Sequence, residues 1–519
     1  MPAPDPSITP AQLERGLKLG VVEGAFAFAT FTLTSGAVLA AFVYSSGMGA
    51  FQYGLFTALP FLAQLLQIPN VALLRRWHDR RRMTVLFASA GRLSLLGVTA
   101  ALLFLPSEAR AFAVLVSFVS WSAFSALAGG AWLWWMRDLV PADRLGRYFG
   151  SRGSALVAVS APVLFGAGFF LDWVRSGGGE EASRFAFAAL FATAAAFGMV
   201  SSAILAQMPH APPAEDPRQV PLRRSLSLPF KDLNYRRMLG WLSVWWFATT
   251  FTVPFFPVFL LVDLGMPVSF VTLLLLVGIG STVVFLRLWG RLSDRFGNKP
   301  ILAVSVPVLS AALLLSLLLP TAPGLLRVAL IVVIQVLLAL AAAGADLTAW
   351  NLAFKLSRGP DAPSFLAAVS FVRALATGLG PILGGAAAVF LRGTSIQLGL
   401  PVGGGVPLLE ITRFPLLFAG AAAAILVSAA LLSRVKEEGE APRSALLDAL
   451  RLEADDGLMP GVRHFAAATT VTVQFIVDVQ EKASSSLDSG IEAIKGAIES
   501  VSGAEDDDDD AGPPGPRGS

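Results

Sequence analysis

Cysteine is missing from all 519 residues of this chain, which excludes disulfides and thiolate metal sites. Histidine occurs three times, at His78, His210 and His464, too scattered to suggest a metal cluster, and neither a metal nor a cofactor is expected. Charge is scarce too. Asp, Glu, Lys and Arg make up 14% of the chain, against roughly 25% in a soluble domain, too little to cover a water-exposed surface. The common catalytic patterns are also missing: Gly-x-Ser-x-Gly, His-Glu-x-x-His and the phosphate-cradling Gly-x-x-x-x-Gly-Lys-Ser/Thr do not occur. Nothing here marks an enzyme or an ATP-driven pump.

What is present is apolar. Hydrophobic residues account for 55% of the chain, and mean hydropathy is +0.67. Apolar runs of about 20 residues alternate with short polar loops, the pattern of membrane-spanning helices; a barrel would show shorter alternating strands. Twelve spans can be drawn, at 18–44, 52–74, 83–105, 110–136, 154–173, 185–207, 239–262, 268–289, 301–319, 325–350, 365–391 and 415–432. The expectation is an all-α membrane protein of 12 transmembrane helices. Residues 1–17 form an N-terminal segment, 18–207 and 239–432 two six-helix bundles, 208–238 a linker and 433–519 a tail. The first 17 residues do not read as a cleavable signal, because Asp5 and Glu14 are misplaced and the following apolar run is too long. Thr9-Pro10-Ala11-Gln12 reads as an N-cap, a first-turn proline and a capping-box partner, predicting a short interfacial helix ahead of the first span.

Orientation follows from Lys and Arg in the loops. On one side lie Arg75, Arg76, Arg80, Arg81, Arg82, Arg144, Arg147, Arg152, Arg291, Arg295, Lys299, Lys355 and Arg358, joined by six more basic residues of the linker. The other side holds Arg110, Arg175, Arg184, Arg327, Arg392 and Arg413. Both termini are therefore expected in the cytoplasm. The pI near 9.3 reflects this loop bias, and no nucleic-acid partner is implied.

The two halves repeat at an offset of about 219 residues: Phe28-Ala29-Thr30 matches Phe247-Ala248-Thr249, Gly47-Met48 matches Gly265-Met266, and Ala161-Pro162 matches Gly380-Pro381. Two parallel six-helix repeats with a midplane site between them is the architecture implied. Between spans eight and nine, residues 290–299 read Gly-Arg-Leu-Ser-Asp-Arg-Phe-Gly-Asn-Lys, a short charged turn in which Gly290 and Gly297 permit tight backbone and Asp294, Arg295 and Lys299 carry charge. This stretch resembles the signature loop of the major facilitator superfamily, Gly-x-Leu-x-Asp-Arg-x-Gly-x-Lys/Arg, at every fixed position. Its repeat at 72–81 is degraded, with Arg76 where Asp294 stands. Trp135-Met136-Arg137-Asp138-Leu139-Val140-Pro141, with Arg144-Leu145-Gly146-Arg147-Tyr148-Phe149-Gly150 after it, resembles the loop after span four in a bacterial facilitator group without assigned substrates. The resemblance covers roughly residues 18–433. It implies alternating access by a secondary transporter in a bacterial cytoplasmic (inner) membrane, with the loop at 290–299 as an inner gate.

Ionisable residues inside the spans are few, and charge at the bilayer centre is costly, so each one is a candidate for function. Glu23, roughly 8 Å into span one, reads as a proton-coupling or substrate-binding carboxylate, or as a carboxylate paired with a nearby arginine. Asp346 in span ten has the same two readings. The resemblance puts spans one, four, seven and ten around the central cavity. Arg373 in span eleven could hold an anionic substrate or neutralise Asp346, and Arg92 in span three suits a structural ion pair. Trp245, Trp246 and Thr249 in span seven and Gln64 in span two complete the cavity inventory, suiting a sugar ring or an aromatic compound. Trp134, Trp135 and Trp241, at span ends, read as interface anchors. Pro254 and Pro257 are expected to interrupt their helix and permit bending. Gly380-Pro381-Ile382-Leu383-Gly384-Gly385 resembles a motif of drug/proton antiporters that usually lies in span five, where this chain keeps only Pro162 and Gly166. Close helix packing explains the same glycines.

The expectation is a proton-coupled transporter of a small organic solute, with efflux of a drug or metabolite set against uptake of a sugar-like nutrient. A transporter-like sensor acting through the tail is the rival from another class. The tail is expected to be partly helical over 443–453 and 462–501, with a disordered acidic end at 505–510, and any tail partner is unsupported.

Overall fold

The computed structural model describes residues 9–446, except 68, 71–72, 74–78, 142–143, 211–227, 358–361, 399–408 and 443–444. Arg75, Arg76, His78, Arg358, most of the linker and the tail from 447 onward, with its predicted helices and acidic run, lie outside the described residues. The chain divides into two units, Met1–Leu458 and Met459–Ser519, and everything that follows concerns the first.

Fourteen helices among the described residues build the spans. They are α1 (Pro10–Leu33), α2 (Gly36–Ser45), α3 (Ala50–Ala63), α4 (Arg80–Phe104), α5 (Ser107–Leu139), α6 (Leu145–Gly177), α7 (Glu180–Gln207), α8 (Leu233–Thr252), α9 (Phe255–Val258), α10 (Val268–Phe296), α11 (Lys299–Leu315), α12 (Gly324–Leu356), α13 (Ala362–Phe390) and α14 (Arg413–Ser433). Eleven stretches are long and apolar enough to cross a membrane, and the shorter Ala50–Leu66 stands at the twelfth position. A two-stranded hairpin, Ile396–Leu398 against Leu409–Ile411, is the one departure from an all-α fold among the described residues.

Spans one and seven are broken at equivalent places. Span one interrupts at Thr34–Ser35, where Gly36 has φ +56°, and span seven interrupts at Val253–Pro254 before α9 and a π-helical turn at Phe259–Asp263. Pro254 lacks the N–H the ladder needs. The two breaks lie 219 residues apart, the repeat offset. Gly47 and Gly265, also matched in the repeat, both have positive φ, +72° and +64°.

Packing repeats the same symmetry. In the first half α1 packs on α6 and α7, and α4 on α5 and α7; in the second α8 packs on α13 and α14, and α11 on α12 and α14. The fold is thus two pseudo-symmetric six-helix bundles. Across them, α3 crosses α13 and α6 crosses α10. Side chains such as Phe112, Phe169, Phe390 and Val427 stay exposed around the outside, where hydrocarbon would cover them.

The helices run longer than the apolar runs. The expected interfacial helix is not separate: the Thr9 cap and its Gln12 partner form as predicted, but they open α1 itself, which runs unbroken to Leu33. Span five begins at Leu145 rather than 154, so Arg152, counted as a loop residue, is two turns inside α6. Residues 290–296, expected as a turn, are the last turns of α10. Hydropathy marks where apolar residues stop, whereas the backbone ladder continues beyond the hydrocarbon until something ends it. Here Gly297 ends it, with φ +87° and ψ 177°, a conformation open essentially to glycine.

Candidate functional site

Among the described residues, besides the buried Arg80–Asp138 pair where α4 begins, each half holds one charge centre within its bundle. In the first, Glu23 is buried at 3% exposure and fully occupied: Arg152 Nη1 stands 2.9 Å from Oε2, and Ser201 Oγ donates to Oε1 at 2.9 Å. Arg152 also donates to the Gly20 carbonyl and lies over the Trp132 ring, 4.6 Å from its centroid. Glycines make the room. A Cβ at Gly24 would collide with the Arg152 guanidinium, one at Gly20 with the Tyr148 hydroxyl, and one at Gly198 with the Arg92 side chain. Arg92 is buried on α4, donates to the Ala88 carbonyl at 3.3 Å and acts electrostatically on Glu23. Glu23, Arg92, Trp132 and Arg152 line a cavity of about 250 Å³. Of the readings open for Glu23, the paired carboxylate describes its state here.

In the second half, Arg373 of α13 lies near two indoles, 5.5 Å from the Trp246 ring centroid and 5.8 Å from that of Trp350. Asp346 of α12 lies within electrostatic reach of Arg373 and faces the Trp246 N–H. That N–H is buried and has no well-aligned hydrogen-bond partner. No direct ion pair joins Asp346 to Arg373. Asp346 keeps exposed surface in the second half of a 33-residue helix, yet the protein around its carboxyl desolvates it. A charged group placed inside a membrane-spanning bundle faces a cavity or a partner as a rule.

The other expected cavity residues divide. Trp245 is buried in a stack with Trp241, 5.6 Å between centroids, so Trp246 is the one that reaches the charge centre. Thr249 Oγ1 donates back to the Trp245 carbonyl at 2.7 Å, within its own helix. Gln64 is exposed at the end of α3, bonded to Gln67 and to the Pro60 carbonyl. Trp135 and Trp241 are not interface anchors: both are fully buried, and Trp135 Nε1 donates to the Pro209 carbonyl at 3.2 Å. Trp134 stacks with Arg80 and Arg137, at 5.6 and 5.0 Å.

The glycine motif is engaged in packing. A Cβ at Gly380 or Gly384 would strike α8, one at Gly385 would strike the Ala50 carbonyl on α3, and Gly54 gives the same clearance to the Pro381 carbonyl. Pro162 sits within α6 with no comparable partner described. This α3–α13 seam joins the halves. The face away from the first and last residues of the bundles is closed further. The Asp172 carboxylate of α6 accepts from Val268 N at 3.0 Å and Ser269 N at 2.7 Å, capping α10 in the other half, and Tyr53 Oη donates to the Pro254 carbonyl at 2.8 Å. Four donors at a helix start lack backbone partners and the dipole there favours an anion, so a carboxylate fits.

At the opposite face Asp294 and Arg295 are exposed, Arg295 lies over its neighbour Phe296, and neither meets the first half among the described residues. Gly290 meets no neighbour either. The turn at Gly297–Lys299 is instead covered from its own half. Glu437, just after α14, accepts from Asn298 N and Nδ2, Lys299 N and Lys355 Nζ, all within 2.7–2.9 Å, and Lys299 Nζ pairs with Glu440 at 2.9 Å. Burial alone would raise the Glu437 carboxyl, but these hydrogen bonds and the Lys355 charge outweigh it and hold it below the ordinary glutamate value.

Sequence reasoning passed over Arg152, Asp172, Ser201, Trp350 and Glu437. Gly16, Gly20 and Gly24, four residues apart on one face of α1, were the signal that large side chains would be received there. Nothing comparable announced Asp172 or Glu437, whose partners lie 82 to 139 residues away.

The chain matches the Major Facilitator Superfamily over residues 22–381. No curated protein matches it. Among solved structures it is similar to a D-xylose-proton symporter at 14% identity and TM-score 0.61, covering 83% of this chain and 99% of that one. A nucleoside transporter superposes at 15% identity and TM-score 0.58, covering 82% and 100%. A bacterial homolog of the human lysosomal transporter Spinster, inward-facing and occupied, gives 18% identity and TM-score 0.56 over 84% and 99%. At such identities the likeness is one of fold.

Proposed function

Because this chain belongs to the major facilitator superfamily, a family of membrane transporters, we propose that it moves a small organic solute by proton-coupled alternating access, with Asp346 as the coupling carboxylate. The observation carrying this is that Asp346 keeps exposed surface inside the bundle, facing the Trp246 N–H and near Arg373 without an ion pair, whereas Glu23 is closed off by Arg152 and Ser201. A carboxylate that exchanges protons with a cavity while a neighbouring cation answers its charge is the minimum a coupling site needs.

The closed far face and the open gate residues correspond to one state of the cycle, with the cavity facing the side of the basic loops, which we assign to the cytoplasm of a bacterial inner membrane. Turning to the other state requires Asp172 to release α10 and α3 to slide past α13. It would bring Asp294 and Arg295 against the helix ends of the first half. The glycines that resemble an antiporter motif are used for packing, so efflux and uptake are distinguished by flux rather than by that motif. With outward-directed and inward-directed proton gradients imposed on reconstituted vesicles, the wild type should concentrate solute under one polarity only. Asp346→Asn should retain exchange and lose gradient-driven accumulation. Undiminished proton-driven accumulation in Asp346→Asn rejects the coupling assignment.

A further inference from the structure

The Asp346 centre contains more donors than it can use. Arg373 presents a guanidinium close to the rings of Trp246 and Trp350 and without an ion pair among the described residues, so its N–H groups can receive a ligand. Trp246 adds a buried indole N–H with no well-aligned partner. Facing both is one acceptor, Asp346, which makes no ion pair with Arg373 and keeps exposed surface. A buried donor left without an acceptor is costly, and a guanidinium edge fits a planar carboxylate with two parallel hydrogen bonds. The flanking rings provide an apolar, aromatic rim.

We propose that this pocket binds the carboxylate of an aromatic or apolar organic acid at the Arg373 edge and the Trp246 N–H, in competition with the Asp346 carboxylate. The inference rests on the transporter reading above and adds the substrate class to it. Protonation of Asp346 removes the competing charge, so the acid anion and the proton are taken up together. The charged group facing Asp346 is Arg373 from α13, with Trp246 from α8; among the described residues nothing charged on α10 or α11, which also pack on α12, acts on it. Attraction to the two nearby rings helps to keep the guanidinium oriented while the anion comes and goes.

The contrast with the first half supports this. Arg152 has the same kind of stacking on Trp132, but its charge is matched by Glu23 at 2.9 Å and by the Gly20 carbonyl. Arg152 Nη1 is thus already engaged by a carboxylate and a carbonyl, whereas Arg373 makes no ion pair among the described residues.

The test uses the purified full chain with benzoate, benzamide and benzylamine as probes at equal concentration, read by the shift in melting temperature and by quenching of tryptophan emission. Benzoate should stabilise the wild type, more at acidic than at alkaline pH, and the neutral and cationic analogues should not. Asp346→Asn should bind benzoate at both pH values as tightly as the wild type does in acid. Arg373→Gln should bind it roughly tenfold to a hundredfold more weakly. Equal stabilisation by benzamide or benzylamine, no response to any probe, or unchanged benzoate binding in a folded Arg373→Gln overturns the proposal. Should Arg373→Gln fail to fold, the three-probe comparison and Asp346→Asn decide alone. Proton-driven flux of a neutral solute without benzoate binding overturns the substrate class and leaves the transporter reading standing. Benzoate binding with no flux of any compound does the reverse.

Discussion

Arg152 and Arg373 occupy matching helices of the two repeats, and each lies against a tryptophan of the helix preceding its own: Trp132 on α5 and Trp350 on α12. Their carboxylates differ. Glu23 comes from α1, within reach because Gly24 and Gly20 let α6 approach, and the pair is sealed. Asp346 stands off from Arg373 and keeps exposed surface. The two repeats therefore hold a structural ion pair on one side and an unpaired carboxylate and guanidinium on the other. Distance decides which arginine is free to work, since both side chains have the same chemistry.

Removing either arginine separates these roles. Arg152→Ala leaves Glu23 buried and uncompensated and should cost about 3–5 kcal/mol, seen as a large fall in melting temperature in detergent. Arg373→Ala should cost much less stability and abolish transport. Equal destabilisation by the two would erase the distinction. A second contrast sets the closed face against the open one. Asp172→Ala should weaken the cap on α10 by about 0.5–2 kcal/mol, shifting the population towards the other access state. Single cysteines placed in the chain, which has none of its own, can report that shift through reagent labelling from each side. Unchanged labelling would mean the cap does not hold the far face shut. At the gate, Asp294→Asn should slow turnover severalfold and leave insertion and melting temperature as they are, because Asp294 makes no hydrogen bond or ion pair with the described residues; full turnover would remove it from the gate.

The smallest effect is expected at Glu437. Its carboxyl is held below the ordinary value of 4.5, so the stability it contributes is present above that value and is lost only as pH falls through the lower, folded one. Glu437→Gln should loosen residues 434–441 at neutral pH, and the wild type should do so only in acid. Limited proteolysis across pH measures both, and identical digestion of variant and wild type at neutral pH would show that Asn298 and Lys299 do not depend on this carboxylate.

Much of the fold was legible because its signals are local. The Thr9 cap, the break at Pro254 and the positive-φ turns at Gly47 and Gly265 each depend on a few neighbouring residues. Asp346 and Arg373 were also legible as candidates, since charge inside an apolar run stands out whatever its partner. Arg152 was not, because it precedes the apolar run of its helix and so resembled a loop residue. Trp135 and Trp241 were misjudged for the converse reason: their place near span ends suggested an interface, yet neighbouring helices bury them completely.

By itself, then, the sequence determined a membrane protein of twelve spans in two repeats, because hydropathy, helix caps and a shared offset are properties of short stretches of chain. The tertiary structure alone decided that Glu23 is matched and Asp346 is not, that the glycines of α13 serve packing, and that Asp172 closes one face. Each of those depends on how near two distant helices come, a distance set by small residues and burial on both partners together.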